Sequence, residues 1–365
     1  MSTTTPSISP PRRRTLRLNQ QDRDHWLSTA KYFGRTLLKT LFIIWLVTTL
    51  TFFIIRTLPG NPVDIMVMSL MDTGLSEEEA QARAKALFRI DFDKPVMAQY
   101  TEFMNNLLHG DLGDSYVLAP GKPVMDILMQ RLPWTLFSAG ISLLISFMLG
   151  IFLGMIAAYK RNSWIDQLLT NVSAILDAVP NTLTAILLVM LLGLALKVVP
   201  FSMMRGSLSP GIKPGFTLEF FVDAFRHLLV PCMVYVLSTL GGWMLAMRSS
   251  TISALGDDYV TVAKARGLPD MRIITAYVGR NASLPLFTGL AISLGFVVAG
   301  SVLIELIFVY QGVGLLLSQA IAKRDYPLMQ GILLMLTIMV ILSTAVADLL
   351  YGWLDPRIRI ASGEK

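Results

Sequence analysis

Thr135-Leu-Phe-Ser-Ala-Gly-Ile-Ser-Leu-Leu-Ile-Ser-Phe-Met-Leu-Gly-Ile-Phe-Leu-Gly-Met-Ile-Ala-Ala-Tyr159 runs for 25 residues without a charged side chain. A helix rises 1.5 Å per residue, so about 20 apolar residues cross the roughly 30 Å hydrocarbon core of a bilayer. This stretch is long enough to cross with some tilt. Five further segments of the same character are 36–55, 178–196, 228–247, 281–304 and 326–347. Only Lys39 interrupts the first, and its long stem can snorkel to the membrane surface. The sequence therefore predicts an all-α membrane protein with six transmembrane helices.

Composition agrees. Of the 365 residues, 53% are hydrophobic and 15% charged, against roughly 25% charged in soluble chains. Cys232 is the single cysteine, which excludes an intrachain disulfide framework and any multi-cysteine metal site. His25, His109 and His227 lack metal-ligand spacing, and no cofactor is implied. The formal charge of +6 reads as basic cytoplasmic loops rather than a nucleic-acid surface. The 20 methionines read as adaptable helix packing rather than a thioether pathway for metal.

Charge asymmetry orients the spans. With the N-terminus inside, segments 1–39, 160–177, 248–280 and 348–365 carry 18 Lys and Arg against 10 Asp and Glu; the opposite side carries 13 against 15. The positive-inside rule places both termini in the cytoplasm. Residues 1–30, with Arg12-Arg13-Arg14, read as a disordered cytoplasmic tail, because a polar stretch separates the arginines from the first apolar run. Residues 31–360 form the membrane domain and 361–365 a short tail. The outer segment 56–131 is partly helical: Ser76-Glu77-Glu78-Glu79 reads as a helix start, and a second helix follows over 95–108, ending near His109-Gly110. No internal repeat is visible, which weakens an inverted-repeat carrier.

Segment 248–280 is too long and too polar for a minimal connector. Before Gly267 the sequence favours helix; Gly267 suits a left-handed C-cap, Pro269 blocks continuation, and Asp270 can cap a second helix running towards Arg280. A solvated connector and a docking element for a cytoplasmic partner are both compatible with this helix–turn–helix.

Here the residues become specific. Tyr259-Val-Thr-Val-Ala263-Lys264-Ala265-Arg266-Gly267, followed by Arg280-Asn281-Ala282 and Pro285, resembles the coupling-helix signature of ATP-binding cassette importer permeases, in the form found in the dipeptide/oligopeptide/nickel group. Leu58-Pro59-Gly60-Asn61-Pro62, Gly110-Asp111-Leu112-Gly113-Asp114-Ser115, Arg324-Asp325-Tyr326-Pro327 and Asp355-Pro356-Arg357-Ile358-Arg359 fit the same group in the same order. Thr261 and Val262 stand where the general superfamily signature begins, and Arg280 stands at its later proline. Both departures look typical of the peptide-type group. The resemblance implies a type I importer permease fold in a prokaryotic inner membrane. It also implies a sibling permease, two cytoplasmic ATP-binding subunits, an extracytoplasmic solute-binding protein, and a coupling surface at Tyr259, Ala263, Lys264, Ala265, Arg266 and Gly267.

No phosphate-binding G-x-x-x-x-G-K-[ST], no H-E-x-x-H and no G-x-S-x-G turn occurs, so the chain reads as a transport subunit whose energy comes from partners. Polar residues in or beside the spans are candidates for the translocation path: Ser238, Thr239, Ser293, Ser301 and Glu305. The neighbouring glycines 241, 242, 295 and 300 fit close helix packing equally well. Two roles are open to Glu305, pore lining or pairing with Lys323 and Arg324. The C-terminal arginines could brace the 248–280 loop or anchor the membrane edge.

Overall fold

In the computed structural model, which describes residues 15–57, 62–72, 74–87 and 94–354, the charge-free stretch quoted above lies inside one long helix. The helices in chain order are α1 (Thr15–Thr57), α2 (Pro62–Met71), α3 (Glu77–Leu87), α4 (Val96–Leu108), α5 (Val124–Tyr159), α6 (Trp164–Ala178), α7 (Asn181–Leu188), α8 (Phe201–Met204), α9 (Leu218–Leu255), α10 (Asp258–Ala265), α11 (Asp270–Arg272), α12 (Gly279–Gly300), α13 (Val302–Ile307), α14 (Val313–Lys323) and α15 (Tyr326–Leu354). Among the described residues, four stretches are long and apolar enough to cross a membrane: Leu37–Thr57, Val124–Tyr159, Leu218–Leu255 and Tyr326–Ala347. They become five if α6 and the helix after it count as one broken span. Leu38 and Phe42 of α1 are 70% and 55% exposed. A row of such side chains suits lipid and would be an aggregation liability in water.

α5 and α9 form the most extensive helix pair and run parallel. Ser138, Ser142 and Ser146 lie buried along α5. Thr239 of α9 donates to Ser146 Oγ at 2.7 Å. Farther along, a Cβ on Gly150 would lie 2.4 Å from Trp243 Cβ, and one on Gly154 would lie 2.5 Å from the Met244 carbonyl. Small residues thus let the two backbones meet, as helices in lipid require when hydrophobicity gives no drive between them. Two α5 rings, Trp134 and Phe137, meet Phe220 and Phe225 of α9 edge-on.

α6 runs antiparallel to α9. Arg248 donates to Asp166 from Nε at 2.6 Å and from Nη2 at 2.9 Å, and a Cβ on Gly241 would lie 2.4 Å from the Ser173 carbonyl. The chain then turns by 101° at Val179-Pro180 before α7, which continues as a π-helical stretch over Val189–Ala195. Proline removes a helical donor and pushes the preceding residue towards extended geometry; Val179 sits at φ −85°, ψ 122°. The single helix expected over 178–196 is therefore corrected: residue 178 closes α6, and the next helix starts at Asn181. The helix expected over 281–304 is likewise divided, α12 ending at Gly300 and α13 beginning at Val302. α12 and α15 pack closely, with Gly295 against Ser343.

α1 begins at Thr15, so helix extends into the 1–30 segment read as a disordered tail. Residues 1–14, with Arg12-Arg13-Arg14, lie outside the described residues, as do 58–61 of the Leu58–Pro62 motif, the Asp355–Arg359 motif and the 361–365 tail. The helix start at Ser76 takes the form of a capping box. Ser76 Oγ accepts from the Glu79 N–H at 3.4 Å while the Glu79 carboxylate accepts from the Ser76 N–H at 3.2 Å. α4 stops at His109, and Gly110 takes the left-handed conformation at φ +78°.

Candidate functional site

The two ends of the α5–α9 pair carry different chemistry. At the C-terminal end, Asp257 N-caps α10 in extended geometry and the helix stops at Arg266. Gly267 has φ +71°. Its N–H donates to the Lys264 carbonyl at 2.9 Å and the Leu268 N–H to the Ala263 carbonyl at 3.3 Å, the paired bonds of a Schellman cap. Pro269, rather than Asp270, occupies the N-cap of α11; Asp270 is its first residue and places a carboxylate at the positive end of the dipole. α11 leads into a π-helical stretch, Ile273–Val278, that delivers the chain to α12.

The two faces of α10 do different work. Val260 and Ala263 are buried in one apolar cluster with Phe147, Met247, Ile273, Val278 and Ala282, and α10 itself packs on the π-helical stretch Ile273–Val278, through which it joins the long helices. Tyr259 packs at the rim of that cluster. Lys264, Ala265, Arg266 and Gly267 are exposed, together with Val262 and, on α11, Met271. Ala263 differs from its neighbours in facing the bundle. At 3% exposure it anchors the element from below.

At the other end, two buried carboxylates hold the connections. Glu305 is 1% exposed. Its Oε2 accepts from the N–H groups of Gly314 at 2.8 Å and Leu315 at 3.1 Å, and its Oε1 from Thr135 Oγ1 at 2.7 Å. Thr135 in turn accepts from the Val313 N–H at 2.8 Å. The first three N–H groups of α14, which no intrahelical carbonyl can satisfy, are thus taken up by one carboxylate and one hydroxyl, with the negative charge at the favourable end of the dipole. A Cβ on Gly312 would lie 2.3 Å from that carboxylate, and one on Gly314 would lie 2.5 Å from Val302 Cα. Of the two roles open to Glu305, the pairing with Lys323 and Arg324 is not the one seen: its carboxylate is engaged in this cap.

Asp325 is 0% exposed. It accepts from Ser115 Oγ at 2.5 Å and from the N–H groups of Tyr116, Val117 and Leu118 at 3.1, 3.0 and 3.0 Å. Burial pushes the Tyr116 phenol above its ordinary pKa. The segments Gly110–Ser115 and Arg324–Pro327, far apart in sequence, are thereby one structural unit. Arg324 itself closes α14 in the left-handed conformation at φ +55°.

The remaining path candidates are dispersed. Ser301 is fully buried beside Glu305 and Tyr235. Thr239 is bonded within the α5–α9 seam. Ser238 and Ser293 are part-buried. Gly241 and Gly295 are positions of close packing. Sequence reasoning missed Thr135, Gly312, Gly314 and the carboxylate role of Asp325; a Gly-x-Gly a few residues after an acid at a span end was the available signal. It also missed a cavity of about 870 Å³ between the N-terminal parts of α5 and α9, lined by Arg131, Trp134 and Gln311 among others.

A helical bundle with lipid-suited faces, an exposed helix–turn–helix at one end and a locked loop system at the other defines a membrane transport component. Residues 150–360 match the family described as binding-protein-dependent transport system inner membrane component, and the chain belongs to that family. It is 36% identical to a di/tripeptide transport system permease protein of Pseudomonas aeruginosa and 33% identical to a dipeptide transport system permease protein of Escherichia coli, each over 86% of this chain and 94% of the relative. An oligopeptide transport system permease protein of Bacillus subtilis is 30% identical over 90% of this chain and 99% of the relative. The chain is a multi-pass permease component of an importer and not its ATP-hydrolysing subunit.

Proposed function

We propose that this chain is one permease subunit of an ATP-driven importer of short peptides, providing half of a translocation path completed by a sibling permease. The observation that carries the reading is the seated α10–turn–α11 element, whose outer face exposes Lys264, Ala265 and Arg266 while Ala263 and Val260 are buried in the apolar cluster that joins it to the bundle through Ile273–Val278. Such an element transmits a push at its surface to the bundle rather than absorbing it. The peptide class is supported by the names of the three relatives; oligosaccharide and nickel are the other solutes the resemblance admits. Six passes, formed by α1, α5, the broken α6–α7 pair, α9, α12 and α15, run between the two ends. The excess of Lys and Arg puts the α10 end and both termini in the cytoplasm. There one of two ATP-binding subunits docks on this chain, the other docking on the sibling. Segment 56–131 then faces outward to receive a solute-binding protein. ATP-driven closure shifts the permease pair between inward- and outward-facing states, a two-state bundle biased from a remote site.

Reconstitution tests this. The chain alone in vesicles transports nothing and hydrolyses no ATP; adding sibling permease, ATP-binding subunits and binding protein produces ATP-dependent peptide uptake. Solute flux driven by an ion gradient in vesicles containing only this chain overturns the reading.

A further inference from the structure

The cavity of about 870 Å³ at the N-terminal ends of α5 and α9 lies within the roughly 300–1,000 Å³ of small-molecule sites. Its walls are aromatic, and they are braced. Trp134 meets Phe220 at 6.0 Å and Tyr310 at 6.1 Å between ring centroids, and Phe220 meets Phe221 at 5.2 Å, all edge-on. Into these walls the chain sets one cation and two amides, Arg131, Gln130 and Gln311.

Arg131 is held at one nitrogen only. Its Nη1 donates to the side-chain and backbone oxygens of Gln311. Gln311 is fixed from behind, its N–H donating to Ser207 Oγ at 2.8 Å. Among the described residues no partner is recorded for Nε or Nη2, and no carboxylate forms an ion pair with the guanidinium. The buried acid Glu305, whose charge acts on Arg131 at longer range, has its oxygens committed to Thr135 and the α14 N-terminus. Nε and Nη2 are not sealed from solvent, so they are free to meet a ligand, and a planar carboxylate is the group that fork matches. The rigid rings beside it take apolar side chains of varied shape, and the amides suit peptide groups.

We infer that this cavity is a solute site within the permease itself, in which Arg131 holds the terminal carboxylate of a short peptide and the Trp134 and Phe220 rings pack its side chains. The inference rests on the peptide-importer reading and adds to it a subsite and its selectivity. No acidic side chain lines the cavity, so the peptide's amino end is not held there and N-acylated peptides fit as well as free ones. A neutral sugar leaves the guanidinium without its anion.

Protection from labelling tests this on the assembled transporter in membrane vesicles. Met129 lines the cavity and is 56% exposed, so Met129→Cys on a Cys232→Ser background reports access to a membrane-impermeant maleimide. Free dipeptide at millimolar concentration slows labelling at least about threefold, an N-acetyl dipeptide acid does the same, and the dipeptide amide and maltotriose do not. Arg131→Gln abolishes protection and Arg131→Lys keeps part of it. Equal protection by acid and amide overturns the carboxylate assignment. Absence of protection while the same complex sustains ATP-dependent peptide uptake overturns the site and leaves the importer reading standing. An assembled complex that hydrolyses ATP but takes up no peptide removes both.

Discussion

Replacing Asp325 by alanine removes a single carboxylate that four donors share: Ser115 Oγ and the N–H groups of Tyr116, Val117 and Leu118. Each buried donor left without an acceptor costs about 1–3 kcal/mol. Tyr116 is buried, while Val117 and Leu118 border solvent and can regain water, so the loss falls near the lower end, about 3–5 kcal/mol for the set. Asp325→Asn keeps one oxygen in place. With its carbonyl at the Oδ2 position it still accepts from Ser115, Val117 and Leu118, and turns its amide against the Tyr116 N–H. Its cost is about 1–2 kcal/mol, one bond and the charge assistance. A shift of roughly 2 °C per kcal/mol for a chain of this size gives a fall of roughly 6–10 °C for the alanine variant and about 2–4 °C for the asparagine. The assay is a heat ramp of the detergent-solubilised subunit, monitored by size-exclusion recovery, with limited proteolysis across 109–123 as the local readout. Cleavage there rises in Asp325→Ala before the remainder of the chain melts. An alanine variant within 1 °C of the parent, with unchanged proteolysis, refutes the view that this carboxylate holds the loop to α15.

Substitutions on the two faces of α10 separate docking from seating. Arg266→Glu leaves the melting temperature unchanged and lowers coupled ATPase activity, whereas Ala263→Asp, burying a charge among Phe147, Met247 and Ile273, lowers both; identical behaviour of the two variants sinks the assignment of faces. Gly267→Val forces a β-branched residue to φ +71°, costing about 1–2 kcal/mol, and reduces transport per ATP hydrolysed more than it reduces membrane insertion; normal transport stoichiometry argues against a role for the Schellman cap in coupling. Reporter fusions after Gly113 and after Gly267 report opposite sides of the membrane, and agreement between them discards the proposed passes between these points.

Signals complete within a few neighbouring residues were legible in the sequence. Twenty-five charge-free residues already state that their surroundings are lipid. Ser76 and Glu79 form a capping box without outside help, and Gly267 before Pro269 ends a helix in a left-handed conformation that glycine adopts at no steric cost. The elbow at Val179-Pro180 belongs to this class too, because a proline imposes its local geometry even inside an apolar run. The tertiary structure decided what depends on segments far apart along the chain. From sequence Glu305 is open to pore lining or to pairing with a cation, and the N–H groups it caps come within reach only when α14 folds back against α5 and α13. Asp325 gained its role from a loop about 210 residues earlier. Which face of α10 carries Ala263 was set by the Ile273–Val278 stretch and the apolar cluster behind it, because an eight-residue helix with small side chains has little preference of its own. Backbone conformation answers to neighbours in sequence, whereas the fate of a buried charge answers to whichever donors the fold brings within 3 Å.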